Sequence, residues 1–229
     1  MLPTLLLHGA IGAKEQLEPL AIELRQNGLE VHTLTFEGHG NQPSRGRPFR
    51  VRFLIENILE YMSENGIEQV NLFGHSLGGL VAVNMAFSHP EKVGRAFTLG
   101  TKFVWSPEIA QKEQKNLNPE KILEKVPKFA DMLAKRHTAV DWQENMAQSR
   151  EMMSDFGENP PDFEQFEQTK QPITIGIGDR DNLSTLEESA EVARILPNGA
   201  LQVFPNTKHP IEQVDLSMLA YAIKRAFGA

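Results

Sequence analysis

Val70-Asn71-Leu72-Phe73-Gly74-His75-Ser76-Leu77-Gly78-Gly79-Leu80-Val81-Ala82-Val83 decides the fold. An apolar run of strand length meets a glycine-flanked serine, and a helix-like apolar run follows at once. Strand, sharp turn and helix form the context in which a serine becomes a nucleophile. A turn this tight forces strained backbone angles on Ser76 and lifts its hydroxyl above the sheet. Positions two before and two after must be small, and Gly74 and Gly78 meet that need. A helix starting near Leu77 aims free N–H groups and its positive dipole end at the place where negative charge would develop. Ser76 is the candidate nucleophile.

Working outward, the chain alternates strand-like and helix-like segments. Leu5-Leu6-Leu7 runs into the glycine loop His8-Gly9-Ala10-Ile11-Gly12, and residues 14–26 show helical apolar spacing stopped by Asn27-Gly28. A strand over residues 30–36 empties into Glu37-Gly38-His39-Gly40, and a helix over residues 53–62 follows. After the serine turn come a strand over residues 93–99, a strand over 172–177, a helix over 186–196, a strand over 201–204 and a helix over 212–227. Such alternation predicts a parallel sheet covered by helices on both faces.

Residues 103–171 break the pattern: charge is dense, no strand-like run occurs, and short amphipathic helices can be drawn. Ile122, Val126, Phe129 and Leu133 share one helical face, and Trp142, Met146 and Met153 share another. Helices of that kind must lie over something apolar. The expected organisation is a core from residues 1–102 and 172–229, with 103–171 inserted as a helical lid. Met132, Met146, Met152 and Met153 lie in the insertion beside Trp105, Phe129, Trp142 and Phe156, the makings of an adaptable apolar pocket.

Bulk properties exclude other classes. The 229 residues carry a formal net charge of −7, which argues against nucleic acid or an anionic membrane as partner. With no cysteine, disulfides, thiolate metal sites and cysteine nucleophiles are all ruled out. No apolar run is long enough to span a bilayer, and Met1-Leu2-Pro3-Thr4 lacks a basic leader region, so the expectation is a cytoplasmic protein acting on a small molecule. No metal- or phosphate-binding pattern is present and no cofactor is expected; the oligomeric state is left open.

A serine hydroxyl needs a base to take its proton and an acceptor to orient that base. Among seven histidines, His209 lies between the last strand and the last helix, in a loop that opens onto the same sheet edge as Ser76. The orienting acid belongs at the end of the preceding strand, where Gly178-Asp179-Arg180-Asp181 stands. Asp181 is favoured over Asp179, which is nearer the strand and better placed to pair with Arg180 or cap the turn. Two N–H donors for an oxyanion are expected at Leu77 and at Ala10, the latter in the loop after the first strand. His8, Gly9, Phe36, Trp105, Phe129, Met132, Trp142 and Met146 complete the candidate substrate pocket.

L-L-L-H-G, E-G-H-G, G-H-S-L-G-G, G-D-R-D and K-H-P, in that order and spacing, resemble the α/β-hydrolase superfamily in its serine-nucleophile, esterase- and lipase-like branch with a helical lid. The resemblance spans the core and spares the lid. It implies an α/β, doubly wound, mainly parallel six-stranded sheet of order 2-1-3-4-5-6, lacking the family's first two strands. It also implies Ser76, Asp181 and His209 as triad, with Ala10 and Leu77 as oxyanion-hole donors, at the point where strand order reverses. Two departures stand out: Lys208 precedes the base where a glycine is common, and Glu37 stands where many members have the residue preceding a proline.

Relatives with an aspartate nucleophile, such as epoxide hydrolases and haloalkane dehalogenases, do not fit Ser76. Hydroxynitrile lyases place a lysine where Pro210 stands, and cofactor-free haloperoxidases differ at Leu77 and Ala10. The expected reaction is hydrolysis of a carboxylic ester or thioester with an apolar acyl group. A carbon–carbon hydrolase or lyase on the same triad is the alternative, and its substrate carboxylate would call for a lid arginine, Arg136 or Arg150. A non-catalytic ligand receptor on the same fold is the alternative from another class.

Overall fold

Six strands carry the fold in the computed structural model, which describes residues 1–228. They are β1 (Thr4–Leu7), β2 (Val31–Leu34), β3 (Val70–His75), β4 (Val93–Leu99), β5 (Ile173–Gly178) and β6 (Gly199–Phe204). All pairs are parallel and the order is β2-β1-β3-β4-β5-β6. β3 is buried along its whole length, as its unbroken apolar run requires. Strand order reverses between β1 and β3, whose register pairs Leu7 with Gly74. The loop after β1 and the turn after β3 therefore leave the sheet side by side.

Helices cover both faces. α1 (Glu18–Gln26) and α10 (Leu216–Phe227) pack on one face with Leu6, Phe73, Phe97 and Phe204. α2 (Val51–Glu64), α3 (Leu77–Ser88) and α9 (Leu186–Ile195) pack on the other with Leu5, Leu7, Leu72 and Ile175. α3 is apolar almost all round and buried almost all round, as a central helix under further helices must be.

Between β4 and β5 the described residues form helices and no strand: α4 (Pro107–Gln114), α5 (Pro119–Lys125), α6 (Pro127–Arg136), α7 (Trp142–Glu158) and α8 (Phe163–Gln168). The periodicity that joined residues 122–133 into one face runs across a break. Val126 is at once the C-cap of α5 and the N-cap of α6, because Pro127 has no N–H to continue the first helix. Val126 is accordingly 49% exposed, while Ile122 and Leu133 are buried. The expected helix over 14–26 is likewise divided, with a 3-10 turn at Lys14–Gln16 and α1 beginning at Glu18. The final helix starts later than expected, after a turn at Ile211–Gln213. Asp215 caps it, accepting the Met218 N–H at 2.9 Å.

Candidate active site

Ser76 sits between β3 and α3 with φ 53° and ψ −117°, in the region that L-residues avoid. Such a conformation costs on the order of 1–3 kcal/mol and persists only where its surroundings enforce it. Enforcement comes from both sides: the Ser76 N–H donates to Leu99 O at 2.8 Å, and Thr101 Oγ1 donates to Ser76 O at 3.0 Å. The glycines permit the turn. A Cβ on Gly74 would lie 2.3 Å from the Gly78 backbone, and one on Gly78 would lie 2.4 Å from Leu7 O. Thus the small residues around Ser76 let β1, β3 and α3 close on one another.

The His209 ring joins Asp181 through Nδ1 and Oδ2 at 2.8 Å. With an ionised carboxylate as acceptor, Nδ1 carries the proton and Nε2 keeps the lone pair that a base needs. The other Asp181 oxygen accepts the N–H groups of Leu183 and Ser184 at 2.8 and 3.0 Å. Burial works to raise the Asp181 carboxyl, but the His209 bond and charge and those two amides hold it below the usual value. Asp179 is engaged elsewhere, accepting the Thr207 N–H at 3.3 Å and lying 3.9 Å from Arg180. It braces the loop that presents His209.

Two further residues support that pair. His75 Nε2 donates to the backbone O of His209 at 2.9 Å, and burial depresses its pKa to about 4, so it stays neutral. Gly100, with φ +62°, ends β4 directly beneath the pair. A Cβ there would meet Asp181 Oδ2 at 2.8 Å and His209 Nδ1 at 3.2 Å. Its carbonyl accepts the Ser184 hydroxyl at 2.9 Å, which fastens the acid's loop to β4. Sequence reasoning passed over Gly100, although a glycine at a strand's carboxyl end beside the switch point was the available signal.

On the opposite side, Gly9 brings the loop after β1 against Ser76; a Cβ on it would stand 3.2 Å from Ser76 Cβ. Among the described residues, neither the Ala10 nor the Leu77 N–H donates to a protein acceptor. Buried histidines shape this loop. His8 accepts the Phe36 N–H on Nε2 at 3.1 Å and donates from Nδ1 to Gly9 O at 2.8 Å. His137 accepts the Gly40 N–H at 3.0 Å and donates to Ile11 O at 3.0 Å. Burial lowers the pKa of His8, His39 and His137, that of His39 to about 4.

Glu37 is buried in the neighbouring loop. Burial works to raise its carboxyl, but hydrogen bonds from Arg47 and Asn57 hold it below the usual value.

Ser76 and His209 open into a cleft with two arms. A narrow arm of about 70 Å³ is lined by Leu77, Leu80, Trp105, Met152, Phe156 and Ser184, with Lys102 and Glu113 in its wall. A wide arm of about 530 Å³ runs past Gly9, Phe129, Met132 and Arg136 to Pro210, Ile211, Glu212 and Gln213. Ala10, Met153 and Leu183 border both arms. Of the expected pocket residues, Gly9, Trp105, Phe129 and Met132 therefore line the cleft.

His8, Phe36, Trp142 and Met146 line neither arm. Phe36 belongs to the core against the His8 ring, while Trp142 and Met146 form a separate apolar cluster with Ile122, Ala130 and Leu133. Helix α7 has one apolar face, and the second half of it, with Met152, Met153 and Phe156, meets the cleft. Arg150 is exposed and lines neither arm.

Comparison with known proteins places the chain. A sequence profile described as the alpha/beta hydrolase fold matches residues 3–141, more than half of the chain. The chain is similar to a probable alcohol acetyltransferase of Cyberlindnera fabianii, 26% identical over 47% of this chain and 29% of that protein. It is also similar to a pimeloyl-(acyl-carrier protein) methyl ester esterase of Aromatoleum aromaticum, 38% identical over 36% of this chain and 32% of that protein. The matched stretches thus span about a third of these relatives' length. A thermophilic esterase from Thermogutta terrifontis superposes with a TM-score of 0.79 at 20% identity, covering 98% of this chain and 89% of that one. The chain belongs to the α/β-hydrolase family.

Proposed function

We propose that this α/β-hydrolase cleaves carboxylic esters of small substrates through an acyl-enzyme on Ser76. The carrying observation is the His209–Asp181 pair, 2.8 Å apart, opening into one cleft with a serine held at φ 53°. Ser76 Oγ bonds to the ester carbonyl carbon while its proton passes to His209 Nε2. The oxygen that gains charge takes the N–H groups of Ala10 and Leu77, which have no protein acceptor among the described residues. Collapse breaks the carbon–oxygen bond, and His209 returns the proton to the departing alkoxide. Water then repeats the sequence, releasing the acid and free Ser76. Asp181 holds the imidazole in the required tautomer throughout.

Arm sizes support a preference for short acyl groups, since about 70 Å³ holds only a few carbon atoms. The names of the acetyltransferase and methyl-esterase relatives support acyl chemistry at an oxygen. Residues 103–171 supply Trp105, Met152, Met153 and Phe156 to the narrow arm, which supports their reading as a lid. A fluorophosphonate probe tests the assignment together with a nitrophenyl ester series. Labelling at Ser76, its loss in His209→Ala, and turnover falling from acetate to octanoate are the expected results. No label on Ser76, or equal labelling of the variant, overturns it.

A further inference from the structure

The wide arm contains a buried cation whose hydrogen bonding the protein leaves incomplete. Arg136, the last residue of α6, keeps a tenth of its side chain exposed and lines the same arm as Ser76 and His209. A guanidinium offers five N–H donors. Here Nη1 donates to Ile11 O at 3.1 Å, and Nη2 reaches Glu212 Oε1 only at 3.5 Å. That same oxygen already accepts Gln16 Nε2 at 2.6 Å, and Glu212 is nearly half exposed, so water screens its charge. Burial lowers the Arg136 pKa, and the charges of Glu212 and Glu15 only partly offset it.

A purely structural role explains little of this. As a strut to the loop after β1, Arg136 would duplicate His137, which donates to the same Ile11 oxygen at 3.0 Å. The narrow arm treats its own cation differently: Lys102 Nζ lies 3.6 Å from Glu113 Oε1, with both side chains largely buried. The two pairs are similarly long, but Glu113 is largely buried whereas Glu212 is 46% exposed, so water weakens the wide arm's pair and leaves its cation open to a ligand. Geometry also tells the arms apart. The departing oxygen must take its proton from His209, and the wide arm wraps the residues that follow His209, from Pro210 to Gln213.

We infer that the wide arm receives the alcohol portion of the ester and that Arg136 binds a carboxylate carried by it, making the substrate class short-chain acyl esters of hydroxy acids. A carboxylate matches the planar fork of a guanidinium with two parallel hydrogen bonds, and with only a tenth of the Arg136 side chain exposed such a pair discriminates against a neutral isostere. Glu212 competes with the substrate for the same cation. The inference rests on the ester-hydrolase reading for its chemistry, but not for its binding.

The test uses acetate esters of ω-hydroxy acids with two to six methylenes, each beside its primary amide. The wild-type protein is expected to favour the best carboxylate over its amide by about tenfold in kcat/KM, about 1.4 kcal/mol. Arg136→Gln, which can keep the Ile11 bond, is expected to bring that ratio near one by raising KM for the carboxylates alone. Glu212→Gln is expected to raise the ratio. Equal losses on both series in Arg136→Gln, or a wild-type ratio near one, overturn the inference. Should the wild type cleave no ester, the ester reading fails by itself. Calorimetry with the matching N-acetyl ω-amino acids and their amides then decides: tighter carboxylate binding lost in Arg136→Gln supports Arg136, and equal binding sinks it.

Discussion

The two loops that converge on Ser76 are braced by opposite kinds of chemistry. The loop after β1, with Gly9 and Ala10, is held by histidines that are buried, neutral and committed through both ring nitrogens at His8 and His137. The loop after β6, with His209, is held chiefly by carboxylates, Asp181 on the ring and Asp179 on the Thr207 amide, with one neutral histidine, His75, on the His209 carbonyl. Under the proposed mechanism the difference suits each loop to its task. An oxyanion donor must stay in place through every step, so its supports are groups whose protonation is suppressed. A general base must gain and lose a proton in each turnover, so its support is an anion that tolerates both states.

The sharpest break of this contrast removes the titrating side. His209→Gln should lower esterase kcat/KM by about 10⁴-fold, and Asp181→Asn by about 10³–10⁴-fold, both with native circular dichroism. The Ser76→Ala, His209→Gln double variant should be no slower than either single one, because the residues act as a unit. Losses under tenfold at either position would refute the proton-transfer assignment.

A change of pH acts on the buried histidines. For His8, His39 and His137, and for His75 beneath His209, the folded-state pKa lies below the unfolded value. The unfolded chain therefore binds more protons, and stability declines as pH falls from about 6.5 toward the folded values, near 4 for His39 and His75. Each such group contributes about 1.4 kcal/mol per pH unit across its window. Asp181 works in the same direction but lower down: its folded pKa is depressed, so its contribution holds above the ordinary carboxylate value and is lost as pH falls below it. Chemical denaturation at pH 7, 6 and 5 should show a steady fall in stability, and a flat profile would remove the suppressed-histidine account.

Replacing His8 by Leu isolates one brace. It strands the buried Phe36 N–H without its acceptor, for a loss of about 1–3 kcal/mol in urea unfolding. Ester turnover should fall with it, because the Ala10 donor loses its anchor. Asp179→Asn is the mildest change: an amide oxygen still accepts the Thr207 N–H, so kcat/KM should drop by less than about fivefold. A loss there as large as in Asp181→Asn would mean the two aspartates had been assigned the wrong way round.

Much of this was legible in residues 70–83, because glycines at fixed offsets and unbroken apolar runs report backbone geometry directly. The strand order followed from alternation together with the family resemblance, and the facing of the β1, β3, β5 and β6 loops followed from that order. Side-chain placement in 103–171 was less legible for a physical reason. α7 has one apolar face, so spacing could not say which stretch of it met Ser76; Trp142 and Met146 in its first half turned to α5 and α6, and Met152 and Phe156 in its second half to the cleft. Lys102 and Glu113 carried no signal either, since a buried ion pair reads in sequence as two ordinary charges. Pro127 did carry one: it marks the break that a periodicity count ran across.

His137 has a consequence for engineering by recombination. It stands at the end of α6, yet its ring ties Gly40 to Ile11, while the Thr138 N–H donates to Gly40 O at 2.9 Å and Asn145 Nδ2 to Gly38 O at 2.7 Å. The helical segment is thus stitched into two loops that come from the first fifth of the chain. A chimera that exchanges residues 103–171 as a cassette would carry away half of each seam and leave the loop after β1 misaligned. A workable crossover has to move residues 8–11 and 36–40 with the helices, so the inheritable unit is discontinuous in sequence.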